Sequence, residues 1–315
     1  MEKYYPSYYN DFRCLAEKCP DTCCAKWEIV IDDDTLMKYS EASGQFAESI
    51  RSHLIKNDEG ETCFLLKDNK CPFLCYDGLC EIHKQLGEDF TCRVCREHPR
   101  FTEEYDGFSE ISLSVSCPET INILFNNRSV SYPTPVYEGD DEVLSLLIAS
   151  RKEILETDQN ADIVIKTILD KAADDQLEID LVYITDHPVF NTELISNYLC
   201  FINDSCELLT IEWKKYLENA LVSEISQEEI KRFIINNESN FIRSLKYFVY
   251  RYYLKAVNDL DIYSRALFII LSCYSAVYIA VANDILFEEA IRLFSKEIEH
   301  NLINLDTVIE YLSDL

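Results

Sequence analysis

Cysteine placement constrains this chain more than any other feature. Of fourteen cysteines in 315 residues, eleven lie at or before position 117. The densest run, Cys71 to Cys95, reads CPFLCYDGLCEIHKQLGEDFTCRVC and holds five of them. Upstream, FRCLAEKCPDTCCAKW supplies Cys14, Cys19, Cys23 and Cys24; Cys63 lies between, and SCPE supplies Cys117. Thiols this concentrated must be folded around something, either one another or an inorganic centre. The first residues, MEKYYPSYYNDFR, carry charges but no apolar run, so no secretory signal is read and a reducing cytoplasm is expected. There, clustered thiols serve as metal ligands more often than as disulfides, and disulfide-stapled secreted domains occur mostly in shorter chains.

Thiolate is a soft ligand, which selects zinc or iron–sulfur over magnesium or calcium. Structural zinc sites pair cysteines across two to four residues, and Cys92-x-x-Cys95 has that spacing. The adjacent Cys23 and Cys24 do not. Two neighbours cannot easily share one ion with relaxed geometry, so they serve two metals, or one stands just outside the coordination. One four-iron cluster with spare thiols, two clusters, or a cluster with a zinc ion all fit the count. The spacings of Cys71, Cys75 and Cys80, and of Cys14, Cys19 and Cys23, depart from the three-then-two pattern of radical S-adenosylmethionine chemistry.

The rest of the chain has a different character. Nearly half of all residues are apolar, enough for a proper core. The net charge of −28 disfavours a nucleic-acid partner, which needs a Lys/Arg surface, and suits a basic or lysine-bearing one. Ala266 to Ala282 carries no charge over seventeen residues. It is at the lower edge for crossing a bilayer and has no flanking basic cluster, so it reads as a buried core helix and no membrane partner is expected. Trp27 to Asp32 alternates as a strand, and Asp34 or Thr35 is placed to cap a helix running to about Leu54. CFLLKD and residues 108–116 read as further strands. Asp77-Gly78 is a turn that puts Cys75 and Cys80 on opposite limbs, and Glu81 to Leu86 is a short helix ended by Gly87.

SVSYPTPVYEGDDE crowds proline, glycine and acid together and reads as a domain boundary. The expected fold is therefore mainly α: a cysteine-rich metal-binding or cluster-binding domain of short strands and helices over 1–130, followed by an all-α domain over 140–315. Helices are expected at about 141–156, 161–173, 192–203, 207–221, 227–238, 240–257, 261–282, 285–300 and 306–313. Ser226 with Glu229 is a capping box, and Asp306 is placed to cap the last helix.

CLAEKCPDTCCAKWEIVID, CPFL with GLCEIHKQLGEDF, CREHPR and SLSVSCPE occur in that order. Over roughly residues 10–125 this series resembles the flagellin lysine-N-methylase family (FliB), itself related to the CxxCxxCC metal-chelating proteins. The resemblance implies an iron–sulfur protein, with a 4Fe-4S cluster or alternatively zinc. It further implies a cytoplasmic methyltransferase that methylates flagellin lysines with S-adenosylmethionine as donor. The metal ligands it implies are Cys14, Cys19, Cys23, Cys24, Cys71, Cys80, Cys95 and Cys117, with Cys63, Cys75 and Cys92 as extras. It assigns no catalytic residue and no donor-binding residue.

An ordinary Rossmann donor site is disfavoured, because the six glycines include no GxG. The metal domain or its junction with the helices must then hold the donor, and an iron lacking a cysteine ligand is one place for it. Methylating lysine requires removing a proton from an ammonium whose reference pKa is about 10.4. FIRSLKYFVYRYYLKA offers Tyr247, Tyr250, Tyr252 and Tyr253 as aromatic walls, although half-buried core tyrosines are the simpler reading. His83, His98 and Arg100 accompany the motifs as candidates for contacts around the metal or to substrate, either histidine being also a candidate ligand. Arg96 and Arg100 flank Cys95, placed to offset thiolate charge, to grip a carboxylate or to serve the structure. Glu28 and Asp32 to Asp34 form an acidic patch. The rival functions are a non-enzymatic zinc or iron–sulfur scaffold whose helices bind a partner, and a redox protein.

Overall fold

Glycine is absent after Gly139 and proline occurs there once, and the structure of that half is helical. The computed structural model describes residues 1–25, 27–58 and 60–315. Two compact units emerge: Met1–Phe12 with Thr102–Ser116 and Thr120–Leu315, and Arg13–Phe101 with Cys117–Glu119. Fourteen α-helices among the described residues make the protein mainly α, as expected.

In the helical unit the helices are α6 (Glu142–Glu156), α7 (Ala161–Asp180), α8 (Thr192–Ser205), α9 (Ile211–Val222), α10 (Gln227–Asn236), α11 (Glu238–Tyr252), α12 (Ile262–Asn283), α13 (Phe287–Ile298) and α14 (Leu302–Ser313), preceded by α5 (Pro118–Asn126). Asp141, Asn160, Asn191, Thr210, Ser226, Asp261 and Asn301 each accept a backbone N–H of the first turn that follows. Each such cap satisfies a donor the helix cannot, worth about 1 kcal/mol. Ser226 and Glu229 form the expected capping box. Asp306 is not the last cap: α14 begins earlier because Asn301 accepts from the Asn304 N–H, and the Asn304 amide donates to the Glu207 and Glu297 carbonyls.

Helix α12 contains the charge-free run and is the centre of the unit, packed by α7, α9, α11, α13 and α14. Length and composition alone would let it cross a membrane, yet every residue from Ser264 to Ala280 is buried by protein. A helix enclosed on all sides needs no polar face. Each fully buried Leu, Ile or Phe adds roughly 1.5–3 kcal/mol.

A three-stranded sheet has the order β1-β5-β4, from β1 (Glu2–Tyr4), β4 (Arg100–Glu104) and β5 (Phe108–Leu113), and β1, β5 and β4 from Thr102 onward belong to the helical unit. β1 runs parallel to β5 with Glu2 opposite Phe108 and Tyr4 opposite Glu110. This non-local pairing ties residues 1–12 and 102–116 to the helices, whereas the sequence placed a boundary at 130–140. Residues 127–141 form neither helix nor strand but a strap. The Ser131 N–H donates to Ser7 Oγ at 2.9 Å, the Val136 N–H to Tyr4 Oη at 3.0 Å, and Tyr137 Oη to Asp106 at 3.0 Å.

The thiol-rich unit contains α1 (Asp33–Glu41), α2 (Gln45–Ser52), β2 (Leu54–Lys56), β3 (Thr62–Phe64), α3 (Glu81–Leu86) and α4 (Arg93–Glu97). The single helix expected to Leu54 is two, broken at Gly44, whose φ of 99° suits glycine. The cap of α1 is Asp32 rather than Asp34 or Thr35, accepting the Thr35 N–H at 3.0 Å. The strand expected at 27–32 is reduced to an isolated Val30–Cys63 bridge flanking the antiparallel β2–β3 pair, although Ile29 and Ile31 are buried as the alternation required.

Candidate metal centre

The core of the thiol-rich unit is small: Ile29, Ile31, Tyr39, Ile50, Phe64, Phe73 and Ile82, together with the buried Cys71 and Cys92. Cys24, Cys80 and Cys95 pack on its edge. Short backbone features aim each sulfur. The Cys71 N–H donates to the Cys24 carbonyl at 2.8 Å, which holds the first cysteine group against the second. The Asp77-Gly78 turn closes with Gly78 donating to Cys75 at 3.0 Å and Cys75 to Leu79 at 2.8 Å, so Cys80 comes back opposite Leu74 and opens α3. Cys92 caps α4, whose single turn brings Cys95 beside it.

Cys92 and Cys95 sulfurs are 3.3 Å apart. That is too long for a disulfide bond of about 2.05 Å. It is close to the roughly 3.8 Å separating two thiolates on one tetrahedral zinc, given zinc–sulfur bonds of about 2.3 Å. The hydrogen bond between them pulls the Cys92 pKa down and pushes that of Cys95 up. Arg96 also favours the Cys92 thiolate by charge, and it is anchored by donating to the Thr91 carbonyl. Around this pair, Cys23 and Cys24 are close enough to Cys95, and Cys23 and Cys80 to Cys71, for their charges to be felt.

Desolvation pushes the Cys71 thiol up to about 12 and raises Cys80 and Cys19 as well. Neighbouring thiols add to all three, because thiolates gathered in an apolar pocket repel one another. A bound cation is what would make several thiolates tolerable there, releasing their protons as it binds. No three ligand side chains among the described residues stand together as a preformed site for one ion. The arrangement is thus a gathering of soft donors from separate segments. Its chemistry fits a thiolate-bound centre.

Of the eight implied ligands, Cys24, Cys71, Cys80 and Cys95 are at the core and Cys23 is beside them on the exposed side. Cys19 is half-buried near Cys14 and Cys23, Cys14 is exposed, and Cys117 belongs to the same unit. Lys26, inside the CCAKW motif, lies outside the described residues. Cys92, outside the implied set, is 1% exposed at the centre, and its Cys-x-x-Cys spacing was the signal for it. Cys63 is turned away, donating to Glu28 at 3.3 Å. His83 is exposed, and the His98 ring stacks obliquely on Trp27 at 5.6 Å. Asp32 accepts the Arg93 N–H at 2.7 Å, tying α1 to α4; burial raises its pKa, but the N–H groups of Arg93 and Thr35 hold it below the ordinary value.

The chain is 31% identical over 128 residues to the lysine-N-methylases of Salmonella choleraesuis and Salmonella typhimurium, a stretch covering 39% of this chain and 32% of each relative. Over the same length it is 30% identical to the flagellar biosynthetic protein FliU of Salmonella muenchen, and there it covers 76% of the relative. The chain belongs to the FliB lysine-N-methylase family. It spans about a third of the length of the lysine-N-methylases it matches. No family model matches the chain, and no solved structure matches it significantly. The aligned stretch is long enough to hold the cysteine series through which the sequence resembles the FliB family.

Proposed function

We propose that the protein is a cytoplasmic protein-lysine N-methyltransferase that uses S-adenosylmethionine and acts on flagellin, with an iron–sulfur cluster in its thiol-rich unit. Membership of a family whose relatives are named lysine-N-methylase carries the reading. The gathered sulfurs of Cys23, Cys24, Cys71, Cys80, Cys92 and Cys95 support the metal part of it. When bound, a thiolate-held cluster supplies a Lewis-acidic, redox-capable centre. The chain's own contribution is to gather those sulfurs at the edge of an apolar core that buries Cys71 and Cys92, and to favour the Cys92 thiolate with Arg96. The net charge of −28 suits recognition of lysine-bearing segments.

The test is anaerobic purification followed by incubation with flagellin and S-adenosylmethionine. Mass increments of one methyl group on flagellin lysines, absent without the donor, are expected. A brown protein absorbing near ~400 nm distinguishes iron–sulfur from zinc. Protein that holds its metal yet leaves flagellin unmodified would return the assignment to a scaffold.

A further inference from the structure

Residues 181–191 join α7 to α8 with no helix, turn or sharp bend among them. Leu181 ends α7 in the left-handed region, at a φ of 57°, and its N–H donates to the Leu177 carbonyl. The chain that leaves it reads Val182-Tyr183-Ile184-Thr185, four residues that favour strands. Yet they pair with no strand among the described residues. From Val182 to Asp186, no backbone N–H or carbonyl has a hydrogen-bond partner among the described residues. Strand-forming residues in extended chain with both edges unpaired are a template for another strand.

The segment is pinned at its far end as well. His187 Nε2 is 3.1 Å from Asp170 of α7, and its Nδ1 is 2.9 Å from the Tyr263 hydroxyl of α12. Phe190 stacks on Tyr274 at 5.4 Å, and its carbonyl accepts from the Gln227 side chain. Anchoring of this kind lowers the ordering cost of adding a strand.

Side chains and charge limit what can add. Leu181, Val182, Tyr183 and Val189 are all exposed, Leu181 at 82% and Tyr183 at 73%, so apolar groups are offered along with the backbone. Between Lys171 and Lys214 there is no Lys or Arg, while the same stretch holds nine Asp and Glu. Asp174, Glu178, Asp180 and Asp186 are exposed. They repel an acidic strand, a second copy of this segment included, and attract one that bears lysine.

We propose that residues 182–186 are a docking edge for an extended, lysine-bearing segment of another protein, which adds to it as a β-strand. That the segment belongs to the methylated substrate rests on the methyltransferase reading; the docking edge itself does not.

The experiment uses the full chain with its metal, titrated calorimetrically with a short peptide of alternating valine and lysine. Two peptides serve for comparison: one with glutamate in place of lysine, and one with lysine kept but its backbone nitrogens methylated. Wild type is expected to bind the first peptide at least roughly tenfold more tightly than either of the others. Adjacent residues of a strand turn their N–H groups to opposite edges. One of Ile184→Pro and Thr185→Pro should therefore weaken binding about fivefold to tenfold, by removing a donor from the edge in use. Neither N–H has a partner within the fold, so melting temperatures should hold. Asp180→Asn with Asp186→Asn should weaken binding and flatten its salt dependence. No binding by wild type, equal binding of either comparison peptide, or full binding by both proline variants overturns the docking edge. A wild-type dimer that Thr185→Pro disperses would put a second copy there and overturns it too. Peptide binding without flagellin methylation removes the enzyme reading alone, whereas methylation unaffected where peptide binding is lost removes the substrate assignment alone.

Discussion

The Cys92 sulfur lies 3.3 Å from that of Cys95, buried in the core of the thiol-rich unit, and it is the member of the pair whose pKa their hydrogen bond lowers. The thiol that gives up its proton most readily is the natural first ligand for an incoming metal. Cys92→Ser is therefore expected to lose at least about half of the bound metal, because ligand loss weakens thiolate sites severely. The exposed Cys200, on α8, provides the control, and Cys200→Ser should keep its full metal content. Metal analysis per polypeptide after anaerobic purification decides it.

How far this site was legible follows from what each signal depends on. Local signals read directly: Asp77-Gly78 as a turn, Gly87 as a helix stop, Ser226 with Glu229 as a cap. Signals needing a distant partner did not. Residues 1–13 showed no period because β1 takes its place from β5 more than a hundred residues away. Asp306 looks like a cap in sequence, but Asn301 precedes it and accepts the N–H of Asn304, whose amide is in turn fixed by carbonyls from Glu207 and from α13. The family motifs marked eight cysteines and passed over Cys92, which the Cys-x-x-Cys spacing alone had pointed to and whose burial beside Cys95 depends on the turn of α4.

Removing the metal should act on one unit and spare the other. The thiol-rich core is small, with its cysteines among its buried members, and burial pushes the pKa of several of its thiols up. The helical unit has α12 and its surrounding helices as a core of its own. Prolonged anaerobic chelation is expected to expose residues 13–101 to protease while 142–313 stay resistant. Mass mapping of the fragments tests this, and cleavage spread evenly over both units would contradict it.

Glu299 has no exposure to speak of and satisfies four side chains: Tyr247, Arg251 and Tyr252 at 2.9–3.2 Å, and Ser295. Arg251 in turn reaches Ser112 at 2.9 Å, joining β5 to α11 and α13. Deleting one partner strands the other charge in protein, at a cost of about 3–5 kcal/mol. Arg251→Met should lower unfolding stability by that order in urea titration. The double replacement Arg251→Met with Glu299→Leu should recover part of it, because neither charge is then left unpaired.

Glu297, at the end of α13, gives the stability a pH dependence of definite sign. Desolvation raises its pKa to about 7 from the ordinary 4.5, against the opposing pull of the Thr210 hydroxyl, the Leu209 N–H and Lys296. One oxygen accepts the Leu209 N–H at 2.7 Å while the other, Oε1, is buried without a partner. Between about 4.5 and 7 the folded protein binds more protons at this site than the unfolded chain, so its contribution is complete below 4.5 and lost as pH rises through 7. Glu297→Gln cannot ionise and should show no such loss. The stability of the variant relative to wild type is then expected to climb from pH 5 to pH 8, by up to roughly 3 kcal/mol at about 1.36 kcal/mol per pKa unit. Urea titrations of both proteins across that range measure the difference directly. A flat difference would mean that water or a neighbour already satisfies Oε1, and that burial of this carboxylate carries no penalty for the fold.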